Sequence, residues 1–503
     1  AQALPHMLGM VQPISDVSKI IAFGRNKRWQ QALAVLFGAC LWRQEQDVIS
    51  YNAAVSACGR SSRWEEALGI LREAGLRGVE VDVVGYSAAI SACEKAERWW
   101  EALGVLFGMR EQQVAPNVIS YSAAISACEK GGQWHEALGM LGEMRQNHVE
   151  PNTISYNAAI SACEKGQRWE EALDILREMW HQIVTPNVIS YSAGMSACEK
   201  GEQWQKAVGI MVDMRRHRVE PNLITYSAAI SAYEKGRCWQ EALGLLCEMR
   251  QHRVTPNVIS YSSAMSACAK GDQWQQALHI MREMCQQRVS PNVVSHSAAI
   301  DACDRGGQWQ QALNIMRKMR QEQVAPNVVT YTAAISACEK PERWQDALGL
   351  LYEMRQYGVE PNAISYNAAI SACEQSERWR EAMGLLYEMR QQLLAPSESS
   401  YNSAIRVCEL SDQWEEALSL LCEMQQQELD PAVNTYTAAI TALRKGGCLQ
   451  EAVDMLCEMR RHRVAPDAVS YIEAMKACRD DRQRRDVLLI MCNVQRAAVA
   501  GFA

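Results

Sequence analysis

The sequence predicts an all-α fold, a right-handed α-solenoid superhelix of tandem 35-residue helix-turn-helix repeats, and three observations carry that prediction. Tyrosines stand at Tyr51, Tyr86, Tyr121, Tyr156, Tyr191, Tyr226, Tyr261, Tyr331, Tyr366, Tyr401, Tyr436 and Tyr471 on one 35-residue grid, broken only by His296. Tryptophans from Trp29 to Trp414 and prolines from Pro116 to Pro466 keep the same period. Within each unit, two helical apolar stripes follow one another. A period of this length without insertions describes an array whose units bury their apolar faces only against neighbours. The handedness is the expectation for arrays of this kind.

The copy from Asn117 to Pro151 shows how one unit is built. Tyr121, Ala124, Ile125 and Cys128 fall at i, i+3, i+4 and i+7, one face of a first helix, with Ser120 expected as its N-cap. Gly131 and Gly132 stop that helix. Trp134, Ala137, Leu138, Leu141 and Met144 then form a second stripe, which Val149 and Pro151 close. Twelve clear copies run from Val48 to Asp467. The segments 1–47 and 468–503 hold degraded copies, with Asp16 at the tyrosine place and Arg484 at the tryptophan place, and are expected to cap the array.

Composition narrows the function classes. The formal net charge of −7 gives no bulk support for binding a polyanion, so any RNA affinity must come from a local groove. Every apolar run is interrupted by Glu, Lys, Arg or Gln well short of a membrane span. Of 19 cysteines, eleven lie on the grid from Cys58 to Cys478, and they read as small buried residues of a reducing compartment. No CxxC occurs, and neither a metal nor a cofactor is expected. The chain begins at Ala1, which suggests a fragment or a processed form. A phosphate loop, a deaminase-type HxE with paired cysteines, and a carboxylate cluster outside the repeats are all missing, so an enzyme is not expected.

The tyrosine of the first helix, the Ala-Leu pair of the second, the Glu143-Met144 pair and the closing Val-x-Pro-Asn together resemble the pentatricopeptide repeat family. The uniform unit length is similar to its P class. The resemblance implies single-stranded RNA binding at one base per repeat. It also implies that each base is read by the residue after the tyrosine together with the residue after the closing proline. Asn52 with Asp82 then implies uracil; Ser87 with Asn117 and Ser122 with Asn152 imply adenine; and Asn157 with Asn187 implies a pyrimidine. Ser192 with Asn222, Ser227 with Asn257, Ser262 with Asn292, Ser297 with Asn327 and Thr332 with Asn362 imply five adenines in a row. Asn367 with Ser397 implies cytosine and Thr437 with Asp467 guanine, while Asn402 with Ala432 and Ile472 with Phe502 match no familiar pair. The implied target is 5′-UAAYAAAAACNG-3′.

Ile119, Ile154, Ile189, Ile224 and Ile259 stand two residues before their tyrosines, where the family wedges apolar groups between bases and where a hydrophobic staple is the alternative. Ser399 and Asn434 depart from this pattern. The family also implies phosphate contacts for Lys95, Lys130, Lys165, Lys200, Lys235, Lys270, Lys340 and Lys445, against a plain surface ladder paired with Glu94, Glu129 and Glu164. The tryptophans read as packing rather than base platforms. The expected role is an RNA-binding adaptor in organellar RNA processing, stability or translation, in chloroplast or mitochondrion. Its partners would be single-stranded RNA and RNA-processing proteins, and it would be monomeric. The alternatives are a protein-binding scaffold and the RNA-targeting part of a longer enzyme.

Overall fold

The computed structural model describes residues 14–26, 28–41, 48–339, 343–374, 376–462 and 464–477. Its regular elements are all α-helices, alternating as first and second helices of successive repeats. Two compact units result, Ala1–Pro256 and Asn257–Ala503, each an all-α stack of helix pairs. Within a unit, first helices lie side by side. Val118–Lys130 packs on Val83–Lys95 before it and Thr153–Lys165 after it, while the second helix Trp134–Gln146 sits against its own first helix and the next one. Ile14–Arg25 continues that row at one end through its contact with Val48–Arg60.

Each first helix starts three residues earlier than the serine suggested. Asn117 is the N-cap: its Oδ1 accepts the backbone N–H of Ile119 and of Ser120, each at 3.0 Å, and Ser120 completes a capping box. Ser120 is therefore the third helical residue and not the cap. Both residues are good capping types, and sequence alone does not say which partner leads. Asn152, Asn187, Asn222, Asn257, Asn292 and Asn327 also cap their helices, each accepting the N–H of the third helical residue. Ala432 provides no side-chain cap to Val433–Lys445.

The core repeats with the period. Tyr121, Ala124, Ile125, Ala127 and Cys128 of the first helix meet Ala137, Met140, Leu141 and Met144 of the second, all buried. The tyrosine hydroxyl reaches the far side of this layer. Tyr226 donates to Glu248 Oε1 at 3.2 Å, and Arg215 of the preceding repeat pairs with Glu248 at 2.6 Å, so three residues tie two repeats together. Arg320, Tyr331 and Glu353 repeat the arrangement in the second unit. Cys285, His296 and Lys318 take all three places at one junction. Lys318 Nζ lies 3.7 Å from Cys285 Sγ, and the His296 ring nitrogens face Asn292 O at 2.9 Å and Glu322 Oε2 at 3.4 Å.

Where a glycine follows a first helix, as at Gly131, Gly166, Gly201, Gly236, Gly306 and Gly446, it leaves room for the preceding repeat's tryptophan, whereas Ser61, Ala96 and Ser411 stand at the equivalent place in other repeats. Gly166 has φ −79, yet a Cβ on it would lie 2.4 Å from Trp134 Cδ1 of the preceding repeat. Gly131 meets Trp99 and Gly201 meets Trp169 at the same distance. These tryptophans thus pack against the next repeat's helix end. Gly166→Ala is expected to destabilise the array by about 1–3 kcal/mol through overpacking, measured by urea unfolding. The following residue does take the left-handed conformation, but most repeats place a side chain there, as at Gln167 (φ 57) and Glu202 (φ 58).

Candidate nucleic-acid interface

Ile119, Ser122, Ser126 and Lys130 follow one another at i, i+3, i+7 and i+11 and so form one stripe along the first helix. The capping asparagine stands at its start. Ile49, Val84, Ile119, Ile154, Ile189, Ile224, Ile259, Val294, Val329 and Ile364 occupy the second helical position and are 58–64 % exposed. A staple would need this residue outside the helix and packed back onto it, so that alternative does not hold. What remains within each unit is a ladder of stiff, branched apolar groups facing solvent one repeat apart.

Beside that ladder lie the pairs of residues that the resemblance implies as base readers. Ser122 is only 8 % exposed; its Oγ lies 2.7 Å from Val118 O and 2.7 Å from Ser155 Oγ. Asn152 Oδ1 accepts both the Ser155 N–H at 2.9 Å and the Ser155 hydroxyl at 3.0 Å. Ser122 and Asn152 are thus joined through a third residue, Ser155, which the sequence reading did not single out. The same bridge joins Ser87 to Ser120 and Asn117, Ser192 to Thr225 and Asn222, and Ser262 to Ser295 and Asn292. It recurs for Ser297 with Thr330 and Asn327, Thr332 with Ser365 and Asn362, and Thr437 with Ser470 and Asp467. The signal is present in the sequence, since a Ser or Thr precedes every grid tyrosine except Tyr86, but the same residue types also serve as helix caps. Ser227 and Asn257 belong to different units: Ser227 is buried, and Asn257 Oδ1 accepts the Ser260 N–H at 2.9 Å.

Where the first reader is asparagine, the geometry changes. Asn52 Nδ2 donates to Asp82 Oδ1 at 2.7 Å, and that same oxygen accepts the Val84 and Gly85 N–H groups. Asn157 Nδ2 donates to Asn187 Oδ1 at 3.3 Å while its own Oδ1 accepts the Ser190 hydroxyl at 2.5 Å. Asn367 uses Nδ2 twice, on Ser397 Oγ at 3.3 Å and on Ser399 Oγ at 3.0 Å. Asp467 accepts from the Ser470 hydroxyl and N–H, and these bonds hold its carboxyl below the ordinary range.

The unread pair also has a local cause. Ala432 offers no acceptor, so Thr435 Oγ1 and Asn402 Oδ1 are both buried without a hydrogen-bond partner. Ala432→Asp supplies a side-chain cap and an acceptor for the Thr435 hydroxyl, whose N–H meets the Ala432 carbonyl at 3.1 Å. It is expected to raise stability by about 1 kcal/mol and to make this repeat read uracil, as measured by thermal melting and by selection from an RNA pool.

The described lysines end their first helices, eight residues or about 12 Å along the axis from the residue after the tyrosine. Lys130 pairs with Glu94 at 3.0 Å, Lys165 with Glu129 at 2.8 Å, Lys200 with Glu164 at 2.9 Å and Lys235 with Glu199 at 3.1 Å. Lys95 donates to Gly59 O at 3.1 Å and Lys445 to Glu409 O at 2.9 Å. Lys270 ends Val258–Lys270, and Lys340 lies outside the described residues. Each described pairing reaches back to the preceding repeat. Among the described residues, no group of three or more His, Cys, Asp or Glu is arranged to hold a metal ion, and no helix is long and apolar enough to cross a membrane.

Comparison with known proteins adds the following. The PPR repeat family matches residues 116–165, 151–200 and 326–374. The pentatricopeptide repeat domain matches 69–131, 209–271, 245–305, 279–341 and 419–481, and the PPR repeat matches 49–79, 364–392 and 399–429. None of the curated proteins matches. Among solved structures, the pentatricopeptide repeat protein PPR10 from maize aligns with a TM-score of 0.54 at 21% identity, covering 96% of this chain and 78% of that one. PPR10 in complex with an 18-nt psaJ RNA element aligns with a TM-score of 0.53 at 18% identity, covering 98% and 86%. At these identities the likeness is one of fold.

Proposed function

This chain belongs to the pentatricopeptide repeat family, and from that membership we propose that it binds single-stranded RNA sequence-selectively, one base per repeat, with a target close to 5′-UAAYAAAAACNG-3′. The observation that carries the reading is the capping geometry. An amide nitrogen has no lone pair to offer the helix N–H groups, so where the second residue of the pair is Asn or Asp its Oδ1 is occupied inside the protein. Asn152 is left with its Nδ2 hydrogens and Asp82 or Asp467 with a second carboxylate oxygen.

Base edges sort by the same logic. Ser122 and Asn152 present an oxygen beside an N–H donor, which matches the N6–H and N1 of adenine and opposes guanine and uracil. The short hydroxyl leaves room for a purine. Thr437 with Asp467 presents two acceptors, matching the N1–H and N2–H of guanine. Asn52 with Asp82 presents a donor and an acceptor, as uracil requires. Asn157 with Asn187 presents two donors, which suits the N3 and O2 of cytosine better than uracil. At Asn367, reading cytosine requires the amide to leave Ser399. The exposed branched ladder at Ile119 and its equivalents stands where it can enter between successive bases.

The proposed role is occupancy of a transcript without chemistry, bearing on RNA processing, stability or translation, and family membership points to chloroplast or mitochondrion. A fluorescent fusion seen only in cytosol would remove the organellar part. The test of recognition is selection from a randomised RNA pool at near-physiological salt. An adenine run flanked by the assigned bases supports the reading, and recovery of no motif by a helical protein overturns it. Salt tests the lysines separately. Every lysine that leaves its glutamate for a phosphate adds about −0.7 to the slope of log affinity against log salt, whereas a flat response keeps the ladder as repeat-to-repeat ion pairs.

A further inference from the structure

We propose that the buried hydroxyl at the third position of each first helix is a positioning residue that sets the hydrogen-bond polarity of the base-reading side chain in the preceding repeat. The proposal rests on the one-base-per-repeat reading. It makes the reading unit three residues, Ser122, Asn152 and Ser155, of which the last is fully buried and touches no ligand.

Four oxygens stand in line: Val118 O, Ser122 Oγ, Ser155 Oγ and Asn152 Oδ1, separated by 2.7, 2.7 and 3.0 Å. The two ends have no proton to give, so two hydroxyl protons serve three contacts. If Ser155 donates to Asn152, Ser122 donates either to Ser155 or to Val118 O. If Ser155 donates to Ser122, Ser122 donates to Val118 O. In every arrangement the Ser122 proton points inward and a lone pair faces out. The reader that could have been donor or acceptor is held as an acceptor, which adenine N6–H needs and the guanine and uracil carbonyls cannot use.

With an amide reader, the same hydroxyl acts in the opposite sense. Ser190 donates to Asn157 Oδ1 at 2.5 Å and Ser400 to Asn367 Oδ1 at 2.5 Å, so the carbonyl end is held inside and Nδ2 is directed away. One buried group therefore fixes a hydroxyl as acceptor and an amide as donor. Two asparagines depart from this: Thr435 makes no bond to Asn402 Oδ1 where Ala432 offers no cap, and Asn52 has Gly85 as its third-position partner, where a Cβ would lie 2.3 Å from Asn52 Oδ1, so that Asp82 orients the amide instead.

The test is pool selection with the full chain and three variants. Ser155→Ala should reduce the adenine preference about two- to tenfold, the range of one neutral hydrogen bond, at the third base of the motif alone. Ser155→Thr should retain it, because Thr225 and Thr330 make the same bridges to Ser192 and Ser297. Ser190→Ala should blur the next base, read by Asn157 and Asn187, and gives a second site should the first variant fold poorly. An unchanged adenine preference in Ser155→Ala overturns the proposal, as does an equal loss at every base, which a cap alone would give. If the parent protein enriches no base at all, the one-base reading fails and this inference falls with it.

Discussion

Offered a random RNA pool, the Ser122→Asn, Asn152→Asp double variant returns uracil where the parent protein returns adenine, and leaves the flanking bases unchanged. The new amide at 122 receives the Ser155 hydroxyl on its oxygen, as Asn157 receives Ser190, and turns its nitrogen out. The new carboxylate at 152 still caps the helix through one oxygen, as Asp82 does, and presents the other. Both signs of the edge reverse together. With about 1–3 kcal/mol of discrimination per well-formed pair, the adenine-to-uracil ratio swings on the order of a hundredfold. Asn152→Asp alone leaves two acceptors and is expected to return guanine, as Thr437 with Asp467 does. Stability should be unaffected, because aspartate at an N-cap suits the helix dipole as well as asparagine does. Adenine recovered from both variants would refute the assignment of these two positions.

Raising the pH from 9 to 11 should melt the array. Burial pushes Cys58, Cys93, Cys128, Cys163, Cys303, Cys338, Cys373 and Cys408 up to about 12, and Cys198 and Cys268 to about 11, from an ordinary value of 9.0. Below pH 9 both folded and unfolded chains keep these protons, and full stability is present. Above it the unfolded chain loses protons that the folded chain retains, so each thiol removes about 1.4 kcal/mol per pH unit until its folded value is reached. Ten such thiols acting together remove on the order of 10 kcal/mol per unit, comparable to the whole stability of an ordinary domain. Helical circular dichroism followed from pH 8 to 11 measures this. Alanine at several grid cysteines should flatten the dependence, and a signal unchanged to pH 11 would exclude it. The exposed Cys247, Cys422 and Cys457 report the contrast, since they should alkylate in the native protein while the grid thiols wait for unfolding.

The fold was legible because the period is long and unbroken. Tyr121, Ala124, Ile125 and Cys128 can share a face in one way only, and Trp134 had to begin a second helix. The start of the first helix was misread because Ser120 and Asn117 both satisfy a capping pattern, and their order depends on backbone angles that composition does not encode. The same ambiguity hid the relay: a serine understood as a cap is not sought as a link between repeats. Gly131 looked like a helix stop, whereas its absence of a Cβ answers Trp99, a residue 32 positions earlier whose proximity follows only from stacking. The reading pairs could be named by resemblance, but their outward atoms could not, because those depend on which oxygen the helix end has already taken.

The exchange of Cys285, His296 and Lys318 for arginine, tyrosine and glutamate has a consequence for anyone who would cut and rejoin this chain. Three residues from two adjacent repeats change as a set, so the element of assembly is the seam and not the segment between prolines. The reading trio straddles a seam as well. A transplanted cassette from Val118 to Asn152 would carry Ser122 and its asparagine yet leave Ser155 to the recipient. One shifted to run from Tyr121 to Ser155 has the same length and carries all three. Grafts phased in this second way should transfer a base preference intact into a foreign array.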